Sequence, residues 1–218
     1  MPDINNQIEY WDSVAWEKDF TLPLDSARFR ELVPSDARVL DYGCGYGRIA
    51  SELHDAGYAD IVGVDPAPQM IERAEKEHPG IDFRVADTPI LLFDDASFDA
   101  ALLVAVLTAV PGDARQMEIV NDIYRVLKPG GIVYMTDFRL QSDERNIKRY
   151  KECEKAYGKY GVFNLPYGAI LRHHDMGWIA DLVSPFETIS LEEADVSTMN
   201  GNPAKAFQFF GRRTCGEE

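Results

Sequence analysis

Cysteine is scarce in this 218-residue chain, and its three copies, Cys44, Cys153 and Cys215, stand far apart. An odd number with no C-x-x-C spacing excludes a disulfide framework and a thiolate zinc site, and reduced thiols suit a cytoplasmic setting. Positive charge is also in short supply: 22 Lys and Arg oppose 37 Asp and Glu, a formal net charge of −15. The average surface repels a polyanion, which argues against DNA or RNA as a partner. Long apolar runs are missing. The longest, 100–110, is interrupted by Thr108 and falls well short of the ~20 residues that a membrane helix needs. The opening Met1-Pro2-Asp3-Ile4-Asn5-Asn6 lacks the basic-then-apolar pattern of a secretory signal. The expectation is a cytoplasmic protein with no membrane partner.

What is present is an alternation of strand-like and helix-like stretches, with 45% hydrophobic residues to build a core. Strands are expected at 38–41, 61–64, 83–85, 98–104 and 132–138. Helices are expected at 49–56, 68–78 and 113–127, the second opening on Pro68 and stopped by Pro79-Gly80. After 139 the rhythm breaks. A helix near 142–157, a glycine-containing loop and a helix at 176–183 precede two strands at 187–197 and 204–213, joined by an Asn200-Gly201-Asn202 hairpin turn. This order predicts an α/β, Rossmann-like, mainly parallel sheet with helices on both faces. The length suits a single domain, divided into an N-terminal helical cap (1–35), a ligand-binding core (36–139), a lid-like insertion after the fifth strand (140–177) and the end of the core sheet (178–218).

Strand 1 runs into Asp41-Tyr42-Gly43-Cys44-Gly45-Tyr46-Gly47, and a helix follows. Glycines here let the backbone turn with positive φ and approach a ligand closely, and the helix start beyond them offers free N–H groups. A dinucleotide fingerprint would need its third glycine at position 48, where this chain has Arg48. The D-x-G-x-G-x-G pattern instead resembles motif I of the class I S-adenosylmethionine-dependent methyltransferases. Three further segments strengthen the resemblance. Asp65 ends strand 2, 18 residues after Gly47, within Asp65-Pro66-Ala67-Pro68-Gln69-Met70. A carboxylate there can accept from ribose hydroxyls, each charge-assisted bond contributing about 1.5–3 kcal/mol. Val85-Ala86-Asp87 ends strand 3, and Leu127-Lys128-Pro129-Gly130-Gly131 precedes strand 5.

The resemblance covers about residues 35–140. It implies S-adenosylmethionine as cofactor and a seven-stranded sheet whose last strand runs antiparallel between the fifth and sixth. It also implies that Asp41, Gly43, Gly45 and Gly47 wrap the methionine half of the donor. Asp65 would take the ribose, Pro66 and Met70 would flank it, and Asp87 with Thr88 would face the adenine. Val104 stands beside the donor after strand 4, and Tyr10 of the aromatic N-terminal segment is a further candidate contact.

In-line methyl transfer needs alignment more than a dedicated base, because the cofactor carries the difficult chemistry. The histidines of His173-His174-Asp175 are nevertheless candidate general bases, oriented by Asp175. The alternative is a helix start capped by Asp175 with an exposed histidine. No metal site is expected, since adjacent side chains rarely converge. Between Arg139 and Asp175, eight Lys or Arg oppose five Asp or Glu, interleaved with Tyr150, Tyr157, Tyr160, Phe163 and Tyr167. Arg139, Arg149, Tyr150 and Arg172 are therefore candidate contacts to a small aromatic or anionic acceptor, set against the alternative of an amphipathic helix with solvated charges. The expected activity is methyl transfer to a small molecule. A protein side-chain methyltransferase and a non-catalytic donor-binding module stay open, and a nicotinamide oxidoreductase is disfavoured by Arg48 and the Lys-Pro-Gly-Gly turn.

Overall fold

The computed structural model describes residues 7–86, 91–166 and 168–215. The chain runs through α1 (Ile8–Val14), α2 (Ser26–Leu32), β1 (Arg38–Tyr42), α3 (Arg48–Asp55), β2 (Asp60–Asp65), α4 (Pro68–Glu77), β3 (Asp82–Val85) and β4 (Phe98–Val104). It continues through α5 (Asp113–Val126), β5 (Leu127–Phe138), α6 (Glu144–Tyr157), β6 (Val162–Asn164), β7 (Ile170–Arg172), α7 (Met176–Leu182), β8 (Glu187–Ser197) and β9 (Pro203–Arg212). Seven strands form one sheet in the order β3-β2-β1-β4-β5-β9-β8. The first five are parallel. β9 runs antiparallel between β5 and β8, as the resemblance implies.

Both faces of the sheet are covered, so its strands read as near-continuous apolar runs. Alternate side chains divide between two cores. Val39, Ala100 and Leu102 join Phe29 of α2, Leu53 of α3 and Ile71 of α4 on one face. Leu40, Ala101 and Leu103 join Ile123 of α5 and Ile179 of α7 on the other. Chain order reverses direction across β1, which has β2 on one side and β4 on the other. Ligands of open α/β sheets bind at the carboxyl ends of the strands at such a switch point.

Three details differ from the sequence-based reading. β5 begins at Leu127 rather than 132: the Pro-Gly-Gly stretch stays extended, and the ladder to β4 bulges between the pairs Phe98↔Leu127 and Ala100↔Ile132. The glycine-containing loop of the insertion holds the β6–β7 hairpin, whose three-residue strands are too short to show an alternation. α2, within the expected 1–35 cap, buries Phe29 completely in the core. Among the described residues no helix is long and apolar enough to cross a membrane.

Candidate functional site

β1 delivers the chain into the glycine loop with Gly43, Gly45 and Gly47 at φ values of +70°, +54° and +81°. Side chains rarely adopt this region, and here they would also lack room. A Cβ on Gly43 would lie 2.6 Å from Val106 Cγ2, and one on Gly45 would lie 2.8 Å from Phe20 Cε2. Gly43 and Cys44 donate their N–H groups to Val64 O at 2.7 and 3.0 Å, which ties the loop to β2. Gly47 caps α3 from beneath and faces Phe83, away from the cavity described below.

Two carboxylates flank the loop. Asp65, at the end of β2, accepts from Gly45 N at 3.0 Å and Ala67 N at 2.9 Å. Burial pushes it up to about 6, against the opposing effect of those two N–H groups. Asp41 lies deeper, 2% exposed, with Oδ2 buried and without a hydrogen-bond partner. Burial raises it to about 7, partly offset by the Arg48 charge.

The loop opens onto a cavity of about 510 Å³. Its floor is Gly43, Gly45, Asp65, Pro66, Met70 and Val104. Beyond them the walls come from several separate segments: α1 with the residues before and after it (Gln7, Trp11, Phe20, Leu22), the turn after β4 (around Ala105 to Val110), α5 (Arg115, Glu118, Ile119), Phe138 with Leu171 from the end of β5 and the insertion, and Met199 between β8 and β9. Ala105 holds φ +60°, an uncommon conformation for a residue with a Cβ, and its N–H is fixed on Thr136 O at 3.0 Å. The turn is held from behind by buried Asp137, which accepts from Thr108 N at 2.8 Å and from Phe138 N at 2.7 Å. Burial lifts Asp137 to about 7.

The structure brings together Gly43, Gly45, Asp65, Pro66, Met70 and Val104 as expected, whereas Asp87 and Thr88 lie outside the described residues. Tyr10 is corrected to its neighbour: the turn of α1 puts Trp11 in the wall, with Tyr10 packed edge-on against it at 5.0 Å. Neither histidine reaches the cavity or is exposed. His174 is fully buried; its Nδ1 faces Phe138 O at 3.0 Å and its Nε2 faces Gln116 Nε2 at 3.0 Å. That pairing makes Nδ1 the donor and Nε2 the acceptor, and burial holds the ring neutral with its pKa near 3. His173 pairs through Nδ1 with the Tyr150 hydroxyl at 2.5 Å and is likewise held neutral by burial. Asp175 orients neither ring, because it caps α7 by accepting from Gly177 N and Trp178 N.

The expected anion-binding group is not assembled either. Arg139 pairs with Glu193. Arg149 lies 3.5 Å over the Phe163 ring. Arg172, 3% exposed, binds Asp113 Oδ1 at 2.6 Å and Pro111 O at 3.0 Å. Tyr150 is fully buried. Arg149, Tyr150 and His173 form the insertion's own aromatic core, because a lid with so few apolar residues must pack its rings and alkyl stems instead. The sequence reading missed Gln7, Trp11, Thr108, Phe138 and Leu171. Phe138 alone had a signal, as the last residue of a parallel strand at the ligand edge.

The donor set fits S-adenosylmethionine. The glycines leave backbone, not side chains, beside the cavity floor, and Asp65 keeps lone pairs for hydroxyl donors, whereas Asp41, expected as a donor contact, is buried behind the loop and does not line the cavity. Comparison with known proteins agrees. The model of a methyltransferase domain family matches residues 40–135. The human methyltransferase-like protein 27 is 28% identical over 175 residues, 72% of this chain and 66% of that protein. The 27-O-demethylrifamycin SV methyltransferase of Amycolatopsis mediterranei is 29% identical over 160 residues, 69% of this chain and 57% of that protein. The match thus spans less than two thirds of either relative. A SAM-dependent methyltransferase from Methanosarcina mazei superposes with a TM-score of 0.80 at 28% identity, covering 86% of this chain and 97% of that one. On its glycine loop, its sheet and these likenesses, the chain carries a methyltransferase domain over residues 40–135 and is similar to the S-adenosylmethionine-dependent methyltransferases.

Proposed function

We propose that the protein transfers the methyl group of S-adenosylmethionine to a small-molecule acceptor that is neutral and largely apolar. The observation that carries this reading is the cavity itself. It is continuous from the glycine loop to walls supplied by Ile8, Leu22, Val110, Phe138 and Leu171, with Met199 at its rim. Of the polar wall residues, Thr108 spends its hydroxyl on Arg172 O at 2.9 Å, Thr21 on Ser197 O at 2.8 Å, and Gln7 its amide on backbone groups. Arg139, Arg149 and Arg172 are engaged elsewhere, and Arg115 in the wall is balanced by Glu118 beside it at 3.1 Å. A relative whose name specifies a rifamycin acceptor supports a small molecule as the acceptor.

In this reading the glycine loop, backed by buried Asp41, holds the methionine half of the donor, Asp65 the ribose, and Pro66, Met70 and Val104 pack beside it, with Asp87 and Thr88 assigned to the adenine. Gly47 acts indirectly, by setting the start of α3. The bound donor supplies a methyl carbon already activated by its sulfonium. The chain's part is alignment and exclusion of water by the walls. No base role is assigned to His173 or His174. We further propose a single domain in which α1 and the 140–177 insertion cover a 36–139 core, working in the cytoplasm without a nucleic-acid partner.

Calorimetric titration with S-adenosylhomocysteine tests the donor site: tight binding by the wild type, weakened at least tenfold in Asp65→Ala, is the expected result. Absence of binding to folded wild type overturns the reading. Transfer of an isotopically labelled methyl group to anionic but not to neutral candidate acceptors would overturn the substrate class.

A further inference from the structure

Gln7, which caps the start of α1, lines the cavity yet offers nothing to a ligand. Its amide nitrogen donates to Ala109 O at 2.8 Å and to Ile170 O at 2.8 Å. Its amide oxygen accepts from Ile170 N at 2.7 Å. Both donors and the acceptor face backbone, 102 residues away in the turn after β4 and 163 residues away in β7. The side chain behaves as a strand residue would, pairing both ways with Ile170 and adding a third contact to the turn.

These contacts fall where the covering segments meet. The rest of the cap is fastened to the opposite bank of the cavity. Arg73 of α4 donates to Ala15 O and Lys18 O, both at 2.9 Å, and to Asp19 Oδ1 at 2.9 Å. Gln69 N donates to Asp12 Oδ1 at 2.8 Å, and Phe20 N to the Tyr46 hydroxyl at 2.9 Å. Across the cavity, β7 is joined to its own bank through Thr108, whose hydroxyl binds Arg172 O. One edge of the cap is therefore anchored to the donor side, and Gln7 ties the other edge to the acceptor side.

We propose that Gln7 is the latch of the site: its carboxamide joins the cap to β7 and to the turn after β4, and its release is the step by which ligands enter and leave. The proposal rests on the donor-binding reading above. Gln7 is a positioning residue, since its bonds go to the walls and none to the reacting groups. Opening a closed site speeds entry and exit together, whereas losing a ligand contact speeds exit alone.

The test is stopped-flow binding of S-adenosylhomocysteine, read by tryptophan fluorescence with Trp11 in the wall, on wild type, Gln7→Ala and Gln7→Met. Gln7→Met keeps length and packing while removing all three bonds, so it covers the case in which the alanine variant folds poorly. The expected result is that association and dissociation rates both rise, by about tenfold, while the equilibrium constant moves little. Faster dissociation with unchanged association would make Gln7 a ligand contact and overturn the latch. Unchanged rates in a folded variant would overturn it as well. Failure of the wild type to bind would defeat the donor reading instead, which keeps the two separable.

Discussion

Asp65 and Asp41 face opposite demands in the free and the donor-bound protein. In the free protein burial lifts them to about 6 and about 7, far above the ordinary carboxylate of an unfolded chain. A raised carboxylate pKa stabilises the fold at low pH and loses that contribution as pH rises through the folded value. Asp137, also near 7, adds in the same sense. Buried neutral His173 and His174 act in the opposite sense below the ordinary histidine range, so the carboxylate effect should show above it: ligand-free protein should melt at a lower temperature at about pH 8.5 than at about pH 7, which scanning calorimetry will show. Donor binding should run the other way. A ligand that needs ionised carboxylates must drive off their protons, so the dissociation constant for S-adenosylhomocysteine should climb as pH falls through 7 to 6. Calorimetric titrations across that range test this, and Asp65→Asn should flatten the lower part of the profile.

His174 answers a different question at the same scale. Its ring is a neutral strut between Phe138 O and Gln116, a glutamine that is itself fully buried and accepts from Trp178 Nε1 at 2.7 Å. Replacing it with Phe removes two buried hydrogen bonds, a loss of about 0.5–1.5 kcal/mol each, while Phe138 O keeps the residue-174 backbone N–H and Gln116 keeps Leu107 O and Val110 O. Urea unfolding of His174→Phe should register this destabilisation, and the pH profile of turnover should keep its shape, because the ring carries no titrating proton near neutrality.

Among the elements, the glycine loop and the first five strands were legible because each is a local event. A short apolar run, a glycine at a positive φ and a proline at a helix start leave marks within a few residues. Asp65, Pro66, Met70 and Val104 were legible for the same reason, standing at the ends of strands or the start of a helix. The walls were not, since Gln7, Thr108 and Leu171 meet only through contacts across the fold. The arginines misled because a basic, aromatic-rich stretch describes the composition of a lid and not the direction its charges take. α3 shows how a local mark becomes a global requirement. Gly47 at its start has a left-handed φ, and a Cβ there would sit 2.5 Å from Phe83 Cζ. Gly47→Ala should lower stability by about 1–3 kcal/mol through the backbone conformation and the displaced ring together. Thermal unfolding measures it, and donor affinity should fall because α3 then enters at a different angle.

For the molecule as a whole, the sheet's asymmetry matters beyond the site. Placing β9 between β5 and β8 leaves β8 as an eleven-residue strand at the outer edge. A long outer strand is an open invitation to add another strand, from a second molecule or a misfolded one. This one carries Glu187, Glu192, Glu193 and Asp195 and no basic residue. At neutral pH two such edges repel, as do the two surfaces behind them, each with a formal charge of −15. Acid removes that protection. Near the isoelectric point of about 4.6 the protein should become cloudy and bind an amyloid dye while its helices persist. Light scattering alongside circular dichroism would follow this, and Thr188→Lys on the same strand should delay it. The strand that completes the fold thus also sets the acidity below which solutions of the protein keep poorly.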